Sequence, residues 1–243
     1  MIGRSKCAIP IHDYDELDST NAEAKRLVEL GSDGAFVVSA AKQTAGRGRF
    51  GRVWHAPKNN VAMTITLPHN AEHEDFTTLP LTTGLAIHDV LRDLINDRAA
   101  VKIKWPNDIV VDDAKISGTL IESDANRIYV GIGVNLASEP EGVIYPTTFL
   151  GRFCDIERLA LVERIASSWL ARFESWTQAG FVPIADAYSR NIWRYGQSIS
   201  IALNEARTVR VEGLCRGVSN AGFLLLELPG GEVRAFSTGD VGA

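Results

Sequence analysis

The chain has 243 residues, 45% of them hydrophobic and 23% charged, with 25 basic against 30 acidic side chains and a net charge of −5. That balance suits a globular protein with one sizeable core and room for a small second domain. It disfavours a general nucleic-acid binder, and no apolar run approaches the ~20 residues of a membrane-spanning helix. The three cysteines, Cys7, Cys154 and Cys215, lie far apart and fit no metal spacing. Residues 1–6 are not followed by the long apolar segment of a secretory signal. Reduced thiols in a cytoplasmic protein are the expectation.

In chain order, Thr20-Asn21-Ala22-Glu23 has the form of a capping box, with Thr20 as N-cap. It predicts a helix over residues 21–30 that stops at Gly31. Residues 35–40 are apolar and β-branched enough for a buried strand, and residues 61–67 alternate as a second one. Apolar residues recur at helical spacing from Leu79 to Ile95. Short strands are expected at 101–105, 109–111, 115–121 and 128–136, with turns at Pro106-Asn107-Asp108 and Asp112-Asp113. Few helical crossovers separate them, which argues for an α+β fold with a mixed or antiparallel sheet packed with helices. Helices follow at 156–176 and 182–193. Beyond Tyr195 the pattern changes to strands at 198–203, 208–214, 222–228 and 232–236, split by turn residues such as Asn204-Glu205. The expected division is a domain over 1–194 and a small β-barrel over 195–243.

Between the first two of these strands runs the most distinctive stretch. Residues 42–54 hold three glycines, three arginines and a lysine, and no acidic residue occurs between Ala40 and Asn70. Glycines allow a close backbone approach, and guanidinium forks suit phosphate oxygens. Trp54 adds a flat aromatic face. A solvated connector and a nucleic-acid arm are the plainer readings of a basic loop. The loop matches neither of the common nucleotide fingerprints.

Taken together, Ser19-Thr20-Asn21, the loop from Gln43 to Trp54, Lys104-Trp105-Pro106-Asn107-Asp108, Lys115-Ile116-Ser117-Gly118 and Gly131-Ile132-Gly133-Val134-Asn135 resemble the biotin protein ligases, or biotin–[acetyl-CoA-carboxylase] ligases. The resemblance runs from about Asp18 to the C-terminus. With only about seventeen residues before Asp18, it is to the short form without an N-terminal DNA-binding domain. It implies a class II aminoacyl-tRNA synthetase-like catalytic domain with an SH3-like C-terminal barrel. The implied activity has two steps. Biotin and ATP give biotinyl-5′-AMP and pyrophosphate, and biotin then passes to a lysine of a biotin carboxyl carrier protein.

The resemblance assigns Ser19, Thr20, Asn21, Gln43, Gly46, Arg47, Gly118 and Gly133 to biotin. It assigns Arg49, Arg52, Trp54, Asn107 and Asn135 to ATP, with Trp54 over adenine. Lys115 touches both substrates, and Lys115, Arg47 and Arg49 carry the catalysis. Magnesium is expected to travel with ATP, no metal site is expected in the protein, and a homodimer is compatible with the family. Some residues keep a second reading. Thr20 can cap its helix, Trp105 can be core, Asp108 can close its turn instead of holding magnesium, and Gly131 and Gly133 can be packing glycines. Phe50 stands where another arginine is frequent, and Lys58-Asn59-Asn60 where a Gly-Asn pair is common. The rival of the same fold is a lipoate–protein ligase or octanoyltransferase. The latter relies on a cysteine, and all three cysteines lie outside these clusters.

Overall fold

The computed structural model describes residues 7–55, 57–68, 76–125, 127–204 and 206–242. Residues 1–6, read above for a leader, and Glu205 of a turn lie outside that set. Seven strands form the main sheet: β1 (Ile11–Tyr14), β2 (Phe36–Ala40), β3 (Val61–Pro68), β4 (Val101–Lys104), β5 (Asp108–Val111), β6 (Ala114–Ser123) and β7 (Arg127–Val134). Their order is β1-β2-β3-β7-β6-β5-β4. Only β1 and β2 run parallel, so the sheet is mixed, as expected.

Strand alternation gives this sheet two unequal faces. On one, Met63, Ile65, Val130 and Ile132 join the large core with Leu85 and Leu91 of α2 (Leu79–Ile95) and Ile165 and Trp169 of α3 (Arg158–Ala179). On the other, Phe36, Val38 and Tyr129 pack with Ala24 of α1 (Thr20–Glu29) in a much smaller cluster. Both faces of β2 and β3 are therefore buried, although β3 alternates in sequence, because Thr64 and Thr66 are buried on its second face. Since α1 covers only part of its face, the rest is open to build a site.

Helix α1 begins one residue earlier than the capping box predicts. Ser19 holds the extended N-cap conformation (φ −155°, ψ 135°) and its carbonyl accepts from the Glu23 amide at 2.9 Å. Thr20 is thus the first helical residue, and its hydroxyl is used elsewhere. Gly31, at φ 99°, ends the helix as the sequence signals. Asp112 and Asp113 both adopt positive φ (47° and 67°), the two-residue turn that sets the tight β5–β6 register of Val111 opposite Ala114. Strand β1 was not expected, because its four residues IHDY carry no apolar alternation.

At the C-terminal end, α4 (Val182–Asn191) leads to β8 (Ser198–Ala202), β9 (Arg210–Val218), β10 (Leu224–Glu227), β11 (Val233–Phe236) and β12 (Asp240–Gly242). They form an antiparallel sheet in the order β11-β10-β9-β8-β12, and no described pairing joins its two ends into a closed barrel. Strand β12 is a further unexpected strand, three residues long. This sheet is fastened to the first unit. Trp105 Nε1 donates to the Gly222 carbonyl at 3.1 Å, and the Val218 amide donates to Ser189 Oγ of α4 at 3.0 Å. Trp105 is therefore a buried core residue, the plainer of its two readings.

Asn60, just before β3, is buried, and its Oδ1 accepts from the amides of Leu136, Ala137 and Ser138 at 3.0, 2.8 and 3.2 Å. Its Nδ2 donates to the Ser138 carbonyl at 2.8 Å, so one side chain pins the segment that leaves β7. The residue noted as a departure in the sequence is a structural staple. Asn60→Ala leaves buried amides without acceptors and is expected to cost about 2–3 kcal/mol of stability. Urea denaturation monitored by circular dichroism checks this, and a change under about 0.5 kcal/mol contradicts it.

Candidate active site

One row of the sheet organises the site. Lys104 of β4 lies opposite Asp108 of β5, Asp108 opposite Gly118 of β6, Gly118 opposite Gly133 of β7, and Gly133 opposite Ala62 of β3. Charges stand at one end of the row and bare backbone at its middle. The Trp54 indole rests on that bare patch. A Cβ on Gly133 would come within 2.3 Å of Trp54 Cε2, and one on Gly118 within 3.1 Å of Trp54 Cζ3. Both glycines are required by this close approach, which gives them more than a general packing role.

The basic loop reaches the row because β2 and β3 anchor it. Its strands close through a bridge between Arg47 and Val53 and through the Gly48 amide to the Arg52 carbonyl at 2.7 Å. At the tip Phe50 is exposed with φ 56°, and its ring lies under the guanidiniums of Arg49 and Arg52, at 4.9 and 5.8 Å. The phenylalanine thus spaces two cations where a third cation was the family pattern. Gly46 lies behind the loop against Gln43 and the Trp54 carbonyl, and is not among the cavity-lining residues.

A single cavity of about 530 Å³ is lined by Ser19, Thr20, Asn21, Gln43, Arg47, Arg49, Arg52, Trp54, Asn107, Lys115, Gly118, Gly133 and Asn135. The sequence-assigned residues other than Gly46 therefore share one wall system. One end is lined by the uncharged polar side chains of Ser19, Thr20, Asn21 and Gln43, with a group of ion pairs on Glu122 beside it. Gln43 Oε1 accepts from the Thr20 amide at 2.8 Å and from the Thr20 hydroxyl at 3.1 Å. The Thr64 hydroxyl donates to Asn21 Oδ1 at 2.6 Å, and Asn21 Nδ2 donates to Glu122 Oε2 at 2.9 Å. Lys25 and Arg47 also reach that carboxylate, at 3.2 and 3.3 Å. Burial pushes the Glu122 carboxyl up, but the hydrogen bonds from Asn21 and Lys25 and the charges of Lys25 and Arg47 outweigh it and hold it below its ordinary value. Thr64 and Glu122 went unnoticed in the sequence because their partners are about 40 to 100 positions away.

The other end is cationic. Lys115 Nζ sits 2.7 Å from Asp108 Oδ2, and 5.6 Å from the ring centroids of both Trp54 and Tyr145. Asp108 is thus the partner of the lysine rather than only a turn residue. Arg49 Nη1 donates to Asn107 Oδ1 at 3.1 Å, and burial is the largest influence on Arg49, lowering its pKa. Arg52 Nη2 reaches Asp240 Oδ2 at 2.9 Å, and Arg207 pairs with the same carboxylate. The C-terminal sheet therefore forms part of the wall, through Arg207, Arg210 and Asp240. No local motif announces this contribution. Asn135 is buried and donates from Nδ2 to the Thr148 carbonyl at 3.1 Å, so it fixes the segment beside Lys115 as well as lining the cavity.

Fold and cavity define an α+β domain that places an uncharged polar recess beside a cluster of arginines and lysines, with an antiparallel sheet closing the cationic end. The chain belongs to the Biotin/lipoate A/B protein ligase family, whose model matches residues 16–137, and residues 195–241 match the Biotin protein ligase C terminal domain. It is 34% identical over 229 residues to the biotin–[acetyl-CoA-carboxylase] ligase of Paracoccus denitrificans, which covers 88% of this chain and 92% of that protein. Among solved structures it is similar to a biotin protein ligase from Leishmania major in complex with biotinyl-5-AMP, with TM-score 0.69, 28% identity and coverage of 96% and 100%. A biotin protein ligase from Aquifex aeolicus in complex with biotin and ATP shares the fold at TM-score 0.81, with 24% identity and coverage of 96% and 97%.

Gly133→Ala is expected to lift Trp54 off the sheet. The other four tryptophans, Trp105, Trp169, Trp176 and Trp193, are buried, so acrylamide quenching of the emission reports chiefly on Trp54. A rise in the quenchable fraction in Gly133→Ala, abolished in the double variant with Trp54→Phe, is the expected outcome. Unchanged quenching contradicts the contact.

Proposed function

We propose that this chain is an ATP-dependent biotin–protein ligase that forms biotinyl-5′-AMP and passes biotin to a lysine of a biotin carboxyl carrier protein. The observation that carries the reading is the single cavity joining an uncharged polar recess to a cationic end across Lys115. Ser19, Thr20 and Gln43 offer paired donors and acceptors suited to the ureido head of biotin, with Asn21 and Arg47 around them. The valeryl carboxylate then runs past the Trp54 indole, which rests on Gly133 and Gly118, toward Lys115. Arg49, Arg52, Asn107 and Asn135 take the nucleotide. Trp54 serves the adenine side, and its buried Nε1, which has no partner among the described residues, is left as a donor for a ligand.

The reacting groups are both anions, and their repulsion is the barrier the site must lower. Lys115 stands where carboxylate and α-phosphate meet, oriented by Asp108. Arg47, held by Glu122, and Arg49, held by Asn107, add positive charge from the loop. Closure of that loop over the mixed anhydride keeps water from it. In the second step the carrier's lysine amine attacks the biotinyl carbonyl and AMP leaves. Of the carboxylates at the cationic end, Asp108 is engaged by Lys115 and Asp240 by Arg52 and Arg207. In this reading magnesium travels on the phosphate oxygens of ATP.

The rival reading, a lipoate–protein ligase or octanoyltransferase, has less support. None of the three cysteines lines the cavity, and burial pushes the Cys215 thiol up, away from the thiolate a nucleophile needs. The relatives named above are biotin ligases. The wider reading has four further parts: a domain boundary near Tyr195, a cytoplasmic setting, no DNA partner, and a homodimer across an open sheet edge. The net charge of −5 supports the absence of DNA. Sedimentation velocity tests the dimer.

Incubation with ATP and each of biotin, lipoate and octanoate, with mass-spectrometric detection of the acyl-adenylate, tests the function. Biotinyl-5′-AMP alone is expected, and a lipoyl adenylate without the biotinyl one overturns the reading. Lys115→Met is expected to lower pyrophosphate release by about 100-fold while the melting temperature stays within a few degrees. An unchanged rate removes Lys115 from the mechanism.

A further inference from the structure

Lys104 opens the Lys-Trp-Pro-Asn-Asp stretch, yet the reading so far gives it no task. It is half-buried, lines the cavity, and stands opposite Asp108 in the β4–β5 register. Asp108, however, turns to Lys115 at 2.7 Å. Of the two lysines lining the cavity, Lys104 is the one with no ion pair among the described residues. Its ammonium is instead 5.2 Å from the centroid of the buried Trp193 ring. A cation withdrawn from water without an anion is costly, so its position needs an incoming negative group. Burial is the main influence on it and lowers its pKa, opposed by the more distant charges of Asp108 and Asp240.

The order of groups along the sheet supplies a direction. From the polar recess outward the row reads Gly133, Gly118, Asp108 with Lys115 beside it, and then Lys104, at roughly 4.8 Å per strand. Phosphoryl and adenylyl transfers place the attacking and leaving oxygens on opposite sides of phosphorus. A carboxylate arriving from the recess, meeting α-phosphorus at Lys115, therefore ejects its leaving group toward β4. On the strength of the ligase reading, we propose that Lys104 binds the β- and γ-phosphates of ATP and receives the departing pyrophosphate. In that step a biotin carboxylate oxygen bonds to α-phosphorus as the bond from α-phosphorus to the α,β-bridging oxygen breaks. The bridging oxygen keeps the electron pair and leaves on pyrophosphate with one more negative charge, which the unpaired ammonium offsets. Arg207 and Arg210, from the C-terminal sheet, line the same end.

The test separates the two half-reactions. Lys104→Met is expected to lower kcat/KM for ATP in adenylate formation by about 100-fold, leaving the KM for biotin unchanged. Transfer from supplied biotinyl-5′-AMP to a carrier domain, in which no pyrophosphate takes part, should stay at the wild-type rate. Lys104→Arg should restore most of the first step, and calorimetry with inorganic pyrophosphate should show binding to the wild type and not to Lys104→Met. Normal adenylate formation by Lys104→Met overturns the proposal, as does an equal loss in both half-reactions, which would mark a structural role. A wild-type chain that makes no biotinyl-5′-AMP overturns the ligase reading itself and this proposal with it.

Discussion

The constraint on which the site depends is electrostatic: a lysine ammonium has to be held in place in a half-buried cavity before any substrate anion arrives. Asp108 meets it. Its carboxylate lies 2.7 Å from Lys115 Nζ, and both side chains are about one-fifth exposed (21% and 23%). At this depth the attraction is worth a few kcal/mol, from which the cost of drying both groups must be subtracted. The pair is therefore better understood as a device that holds position than as a source of stability. Gly118, the register partner of Asp108, leaves room for this pair; a Cβ there would sit tightly, 3.1 Å from Asp108 Oδ1 and 3.3 Å from Lys115 Cε. The same bare backbone admits Trp54. One small residue thus serves the ion pair and the floor of the cavity together.

The loop arginines obey the same rule with other partners. Arg47 leans on Glu122, Arg49 on Asn107 and Arg52 on Asp240, three acceptors from β6, from the turn before β5 and from β12. Each cation is thereby aimed at a different part of the cavity. Such pairs are half-exposed and add little to stability. Their value is in orientation: a polyanionic ligand exchanges one acceptor for another and does not have to order long side chains from solvent. An acidic chain of net charge −5 supplies the resident acceptors without a compensating excess of basic residues elsewhere.

Much of this was legible in the sequence wherever the signal was local. Helix α2 spans the predicted Leu79–Ile95 because its apolar rows and the Thr-Leu-Pro start lie within one window. The basic loop, flanked by two strands dense in β-branched residues, was equally plain. What escaped depends on distant partners. Strand β1 exists because β2 offers it an edge and Arg158 of α3 holds Asp13 and Ser39, 145 and 119 positions away. Thr20 looked like a cap because the capping box is a local pattern. Its hydroxyl is instead taken by Gln43 and Thr64, and Ser19 starts the helix. The pairing of Asp108 with Lys115 follows from the β5–β6 register, which no motif encodes.

The C-terminal sheet shows most clearly how a distant element becomes part of a site. Its strands carry ordinary alternating patterns, and by sequence it reads as a separate small unit. Yet Asp240 accepts from both Arg52 of the loop and Arg207 of its own sheet, and Arg207, Arg210 and Asp240 all face the cavity. Burial raises the Asp240 carboxyl, while the hydrogen bonds from Arg52 and Arg207 and their charges bring it below its ordinary value, so it is ionised at neutral pH and holds both arginines. The packing makes this reach rigid: Gly222 is tied to Trp105 and Val218 to Ser189, and the apolar residues of β8 to β10 join the main core without a break. A tether at Asp240 therefore transmits the position of the second unit to the loop. Movement of Arg52 away from β12 breaks that ion pair.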